Sequence, residues 1–235
     1  MNSPTLSLIA LVLVLGTPVA GAQRAIAAAE HPSRPVVIEL FSSQSCGNCP
    51  VANENVALLA QRSDVVAMTY PVGYWDYLGW DDTFAKPEFT ARQKEYNRAL
   101  KHRGPYTPQI VYSGRLHGSG TKLQPIGEKF ETRDLTPYPV KVAIGADEVT
   151  VSGERDVAAT VTLVRFRPGM TSVTPGAGAN RGKPMKYYNL VTSIQKLGDW
   201  KGGVVSFKAT CDHGCTVLVQ DASATGHVVG VAEKR

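Results

Sequence analysis

Apolar residues recur along this chain in two rhythms, and the change between them falls near residue 134. Val36-Val37-Ile38-Glu39-Leu40-Phe41 is an almost unbroken apolar run, the pattern of a strand covered on both faces. Pro50 suits the first turn of a helix, where its missing N–H loses no partner. Val56, Leu59 and Ala60 then give that helix an apolar stripe. Val65-Val66-Ala67-Met68-Thr69-Tyr70 predicts the next strand, so the segment reads as a right-handed βαβ unit. Pro87 opens a second helix running to about His102, with Phe89, Tyr96 and Leu100 near helical spacing, and Gly104-Pro105 stops it. Residues 109–113 predict a strand that pairs with 116–119 across Ser113-Gly114. A weakly patterned helix, interrupted by Pro125, is expected at 121–131.

Past Asp134 no helical period is visible. Residues 140–144, 149–151, 158–166, 185–194, 204–209, 215–220 and 228–231 are strand-like, punctuated by Gly, Pro, Asp and Asn. This half reads as a small all-β, sandwich-like unit. Residues 174–184, which include Gly176, Gly178 and Gly182, are a long loop within it. The expected class is therefore α/β, with a domain over 35–133 followed by a β-rich domain over 135–235.

The first residues read as an export signal over 1–22. An apolar core at 6–15 leads to Ala20-Gly21-Ala22, which fits the small-x-small cleavage rule and starts the mature chain near Gln23. No Lys or Arg precedes the core. The alternative, a retained anchor, needs a span of ~20 apolar residues, which this segment lacks. Residues 25–34 read as a flexible lead, and no later segment is apolar enough to cross a bilayer. The expected location is periplasmic or secreted. Hydrophobic residues at 43% and charged residues at 19% fit a globular chain rather than a disordered one. The net charge of +5 comes without any run of Lys or Arg, so nucleic acid is not an expected partner.

Export gives the four cysteines their meaning. Outside the cytoplasm an even number favours disulfides over free thiols or zinc. Short spacings favour Cys46–Cys49 and Cys211–Cys215. Cys46-Gly47-Asn48-Cys49 follows one strand and opens a helix, and Thr107-Pro108 later opens another strand. That order is the order of a thioredoxin-like redox site. Backbone N–H groups at a helix start favour a thiolate, which makes Cys46 the expected nucleophile and Cys49 the resolving thiol. The bland alternative is an inert disulfide closing a small loop. Pro108, if cis, faces such a disulfide, and the Thr107 backbone meets an extended substrate; the alternative is a trans proline on an edge strand. Glu39, a carboxylate in an apolar strand, either relays a proton for Cys49 or is satisfied by backbone or Arg contacts. Tyr74, Trp75 and the aromatic–acidic segment to Asp82 either line a substrate groove or pack locally, with Asp76 and Asp82 as caps. Cys211-Asp212-His213-Gly214-Cys215 suits a turn closed by a structural disulfide. Its alternatives are a second redox pair, a zinc site shared with Cys46 and Cys49, or a copper site using His213. No cofactor or resident metal is expected.

Several of these stretches together resemble one family. The run from Val37 to Phe41 with Ser42-Ser43-Gln44-Ser45-Cys46-x-x-Cys49-Pro50 is similar to the opening motif of secreted bacterial thioredoxin-like proteins grouped as domain of unknown function 1223. Tyr74-Trp75-Asp76-x-Leu78-Gly79-Trp80, Phe89-Thr90-Ala91-Arg92-Gln93, Tyr106-Thr107-Pro108-Gln109 and Asn180-Arg181-Gly182 with Tyr188-Asn189 resemble its later signatures. The resemblance covers nearly all the mature chain. It implies a thioredoxin-like domain with a β-rich extension, and it carries Cys46, Cys49 and Pro108 to the family's redox positions. It raises Glu39 and Trp75 to site candidates and adds Gln109 beside Thr107, Tyr74 and Trp75 as substrate-binding candidates. Gly47-Asn48 departs from the serine-rich dipeptides associated with the family. It brings no substrate. The expected activity is thiol–disulfide exchange with protein or peptide thiols and disulfides. The rivals are a non-catalytic thioredoxin-fold binding module and a thiol-based metal carrier.

Overall fold

The computed structural model describes residues 34–123, 138–222 and 226–235. The export signal, the lead to residue 33 and most of the helix expected at 121–131 lie outside the described residues. The elements are β1 Val36–Ser42, α1 Cys49–Leu59, β2 Val65–Pro71, a 3-10 turn Asp76–Leu78, α2 Pro87–Ala99, β3 Gln109–Tyr112 and β4 Leu116–Gly118. Then come β5 Lys141–Ile144, β6 Glu148–Gly153, β7 Ala159–Val173, β8 Met185–Trp200, β9 Gly203–Lys208, β10 Gly214–Asp221 and β11 Val228–Lys234. This is a mixed α/β architecture with a large sheet and few helices. No helix among the described residues is long and apolar enough to cross a membrane.

Eight strands form one sheet in the order β11-β10-β7-β8-β2-β1-β3-β4, and β5-β6-β9 form a second, smaller sheet. β1 lies between β2, parallel to it, and β3, antiparallel to it. Its two faces are both covered, which is why its apolar run is nearly continuous. Val37 and Phe41 enter a core with Phe89 and Tyr96 of α2, whereas Ile38 and Leu40 pack with Ala52 and Val56 of α1. The two helices therefore cover opposite faces. Pro87 stands at the first turn of α2, with Glu88 there and Arg98 in the last turn, both complementing the helix dipole.

The β-rich half does not make a separate sandwich. Its long strands β7 and β8, with β10 and β11, extend the sheet of the first half, and only β5, β6 and β9 form a sheet of their own. The small sheet packs through Val149 and Val151 onto Val161, Leu163, Val217 and Val219, the face of the large sheet turned away from the α2 core. Along the large sheet the halves meet at a single ladder pair, while Val164, Phe166, Val191 and Leu218 share a core with Val37, Phe41 and Tyr70 across that seam. β2 and β8 pair at Thr69 and Leu190, parallel. Side chains complete it: Thr69 Oγ1 donates to the Tyr188 carbonyl at 2.9 Å, and Asn189 Nδ2 donates to the Ala67 carbonyl at 3.0 Å. Asn189 has φ +43°, a left-handed conformation that asparagine tolerates better than most residues, and it sits among the register shifts of the β7–β8 pair. Hydrophobic pattern alone does not distinguish a strand added to an existing sheet from one in a second sheet.

Candidate active site

β1 runs out at Ser42, and residues 43–48 turn the chain into α1, which starts at Cys49 with Pro50 in its first turn. Two backbone hydrogen bonds shape the turn, Cys46 N to Ser43 O at 3.2 Å and Cys49 N to Cys46 O at 3.1 Å. Cys46 and Cys49 form a disulfide with Cα atoms 5.4 Å apart. Cys49 is fully buried, Cys46 is 8% exposed, and Gly47 and Asn48 between them are exposed. The pair packs with Met185, Tyr187 and Leu190 of β8, edged by Trp75, Phe84 and Val173. No side chain caps α1 and no acid occupies its first turn, so the partial positive charge of that helix end is left uncompensated. Such an end stabilises a sulfur anion, and the Ser43 N–H, 3.4 Å from Cys49 Sγ, adds a donor.

The turn is held from three directions, by Trp80 and Asp82 of the aromatic–acidic segment expected to line a groove or pack locally, and by Asn180 of the β7–β8 loop. Gln44 N donates to Asp82 Oδ2 at 2.8 Å, and Gln44 Nε2 donates to Asp82 Oδ1 at 3.1 Å. Gln44 Oε1 accepts the Trp80 indole N–H at 2.7 Å. Asn180 Nδ2, from the β7–β8 loop, donates to both the Gln44 carbonyl at 2.9 Å and the Cys46 carbonyl at 2.8 Å. That loop lies against the motif closely enough to require small residues. A Cβ on Gly176 would meet Trp80 at 2.7 Å, and one on Gly178, where φ is +74°, would meet Ser45 Oγ at 3.1 Å. Burial, reinforced by the charge of Asp76, pushes the Asp82 carboxyl up to about 6 against the pull of its amide donors. Trp80 and Asn180-Arg181-Gly182 belong to stretches that resemble the family's motifs, but local pattern does not show that they meet.

Thr107–Pro108 is a cis peptide bond. Gln109 pairs with Phe41, so this bond lies beyond the C-terminal end of β1, the edge from which the cysteine turn departs. Trp75 connects the two features: it packs against the disulfide cluster, and its Nε1 donates to Thr107 Oγ1 at 2.7 Å. Tyr74 stacks obliquely on Trp75 at 5.8 Å between ring centroids, and burial pushes its hydroxyl up to about 12, so it stays a neutral phenol. Tyr77, 75% exposed, lies 6.1 Å from Trp75 and extends the aromatic surface outward. Gln109 is different. Its side chain is buried, accepting from Gln93 Nε2 at 2.8 Å and donating to Asn97 Oδ1 at 2.7 Å, which leaves no role for that side chain at the surface.

Glu39 does not join the cysteines. It alternates with Ile38 and Leu40 along β1 and so projects to the α2 side, away from α1. There Arg92 grips it through two hydrogen bonds, Nε to Oε2 at 2.6 Å and Nη2 to Oε1 at 2.9 Å, and the Tyr96 hydroxyl donates to Oε1. Arg92 Nη2 also donates to Gln220 Oε1 at 2.9 Å, tying β1, α2 and β10 together. Burial acts to lower the Arg92 guanidinium, but the Glu39 charge outweighs it and holds the cation. Of the two readings of Glu39, the Arg-satisfied carboxylate matches these contacts and the proton relay to Cys49 does not. A cavity of ≈ 430 Å³ opens beside this network, lined by Arg92, Tyr96, Thr160, Thr162 and Gln220 among others, with neither Cys46 nor Cys49 in its wall.

Cys211–Cys215 closes the turn before β10 with Cα atoms 5.9 Å apart, both sulfurs buried in the core under the small sheet. The two disulfides belong to different clusters, so the zinc site shared between them is not assembled. Among the described residues no group of three or more His, Cys, Asp or Glu is placed to hold a metal ion.

The sequence profile of a family described as "Protein of unknown function (DUF1223)" matches residues 37–230. A protein from Agrobacterium tumefaciens, known from its X-ray crystal structure, is similar at 34% identity over 87% of this chain and 95% of its own, with a TM-score of 0.73. HBP35 of Porphyromonas gingivalis shares the fold, at 15% identity over 86% of this chain and 74% of its own, TM-score 0.54. No curated protein matches.

Proposed function

We propose that this chain, which belongs to the DUF1223 family of proteins of unknown function, is an exported thiol–disulfide oxidoreductase with a thioredoxin-like core, acting on protein or peptide disulfides. The observation that carries the reading is the Cys46–Cys49 disulfide at the uncapped start of α1, with Trp75 joining it to the Thr107–Pro108 loop. In the reduced protein the Cys46 thiolate attacks one sulfur of a substrate disulfide. The S–S bond breaks, one substrate thiolate departs and takes a proton from solvent, and a mixed disulfide forms on Cys46. Cys49 then loses its proton and attacks Cys46 Sγ; the second substrate sulfur leaves as thiolate, and the protein is left oxidised. Run backwards, the same steps oxidise a substrate dithiol. Tyr74 and Trp75 flank the extended substrate on one side, and the backbone at Thr107 meets it. The leader at 1–22 directs the chain to the periplasm or beyond.

Titration of the pair in glutathione buffers tests this, followed by a Cys49→Ala variant, in which substrate remains trapped on Cys46 for identification by mass spectrometry. A pair that never cycles, or a Cys46→Ala variant equal to wild type in insulin reduction and oxidative refolding, removes the reading. The limited exposure of Cys46, 8%, favours one rival, a peptide-binding module in which the disulfide is only a clamp. Alkylation of reduced Cys46 against pH separates the two: a thiol titrating near ~8.5 identifies the binder, and one well below it the oxidoreductase.

A further inference from the structure

Asp82 is the buried acid that the cysteine turn does hold. It is 8% exposed, and among the described residues no lysine or arginine pairs with it. Its donors are the Gln44 backbone N–H, the Gln44 side-chain amide and the Phe84 N–H at 3.1 Å. The charged or titratable groups facing it are Asp76, whose Oδ1 accepts the Asp82 N–H at 3.1 Å, and the Tyr187 phenol of β8. Arg167 of β7 lies farther out, 5.5 Å from the ring of the intervening Phe84. Neighbouring amides of one turn are thus divided between two acceptors: Ser43 N–H points to Cys49 Sγ and Gln44 N–H to Asp82 Oδ2. A structural role accounts for the hydrogen bonds. Donors reach both oxygens, which an ionised carboxylate satisfies and a neutral amide, with its one acceptor oxygen, does not, so a proton on Asp82 costs the turn an acceptor.

We propose that Asp82 is the proton-linked positioning residue of the Cys46–Cys49 pair, setting the Gln44 turn and opposing the thiolate that opening the disulfide creates. This rests on the redox reading above. When a thiol reductant reduces the pair, two electrons break the S–S bond, the reductant thiols become a disulfide, and the protein gains two sulfhydryls, one of which ionises. A negative sulfur beside the turn then repels the Asp82 carboxylate through a poorly screened interior. The carboxyl titrates near 6 while the disulfide is intact. On reduction its midpoint rises, and by linkage the ionised carboxylate favours the disulfide. Reduction therefore draws a proton onto Asp82, and the reduction potential bends with pH in the range where Asp82 titrates.

Carbon-13 NMR of aspartate carboxyls across pH 4–8 tests this on the wild-type protein, first oxidised and then reduced with a phosphine. The Asp82 resonance is identified by its loss in Asp82→Asn, or in Asp82→Glu if the amide does not fold. An upward shift of about one pH unit on reduction, a tenfold gain in proton affinity, is expected. Asn180→Ala, which loosens the same turn and leaves the carboxylate in place, is expected to keep the shift. Equal midpoints in both redox forms overturn the proposal, as does an Asp82→Asn protein whose potential bends with pH as the wild type's does. A pair that cycles with glutathione while the midpoints coincide sinks this inference alone. A pair that responds only to the phosphine sinks the oxidoreductase reading, and the midpoints still report on Asp82.

Discussion

Trp75 reaches from the aromatic segment after β2 to the loop before β3 and gives its indole N–H to the Thr107 hydroxyl at 2.7 Å, while its ring lies against the Cys46–Cys49 cluster. One side chain thereby sets the spacing between a disulfide and a proline loop that lie far apart in the chain. Trp75→Phe keeps most of the packing and loses the hydrogen bond, worth about 1 kcal/mol net. A double-mutant cycle with Thr107→Val in urea unfolding is expected to return a coupling of that size. Additive single variants would show that the two groups do not act on one another.

Arg92 and Glu39 form a buried ion pair, and removing one partner strands the other charge. Arg92→Met is expected to cost roughly 3–5 kcal/mol. Adding Glu39→Leu should recover much of that, because the pair itself repays little beyond its desolvation. Cys46 alkylation should be unchanged in the double variant, since Glu39 faces α2. Denaturant midpoints and alkylation rates check both halves of this expectation.

Asn180 binds the Gln44 and Cys46 carbonyls with one amide group. Asn180→Ala leaves those carbonyls short of a donor, a loss of roughly 1–3 kcal/mol. The β7–β8 loop is then less firmly seated, and reduced Cys46 should react faster with iodoacetamide. An unchanged rate would mean that this loop does not control access to the sulfur.

The Asp82 carboxyl also leaves a mark on stability. Its folded value of about 6 lies above the ordinary carboxyl range, mainly because it is buried. Between those two values the unfolded chain has released a proton that the folded chain still holds, so this group's contribution falls as pH rises. The full penalty, roughly 3 kcal/mol, is in place above pH ~6. Asp82→Asn is expected to flatten the stability profile between pH ~4 and ~6, read from thermal melts at matched ionic strength. A wild-type profile without that slope would contradict the assignment.

Cys211 and Cys215 are four positions apart in the chain, so their bridge closes a short loop. Replacing both cysteines with serine is expected to cost about 2 kcal/mol by the chain-entropy relation. Redox cycling at Cys46–Cys49 should be retained. A variant that loses cycling while still folded would revive the reading of two exchanging pairs.

The elements and the cysteine pair were legible in the chain because each depends on neighbours in sequence. An apolar run such as Val36 to Phe41 specifies a doubly covered strand, Pro50 marks a helix start, and Cys46 and Cys49 reach each other across one turn. The loop at 174–184 likewise showed itself through its glycines, and β7 and β8 start where the pattern put them or one residue away. What the tertiary structure alone decided were the partners of long-range hydrogen bonds. Whether β8 joined β2 or formed another sheet turned on Thr69, Tyr188 and Asn189 meeting. The face of β1 taken by Glu39 was set by how α1 and α2 divided the sheet, which moved the buried acid of the cysteine turn from Glu39 to Asp82. Hydrogen-bond donors are satisfied by whatever acceptor folding brings near, and the backbone carbonyls and amides that Asn180 and Asp82 bind carry no residue-specific signature. Local pattern therefore determined the parts, and packing determined which of them face the sulfurs.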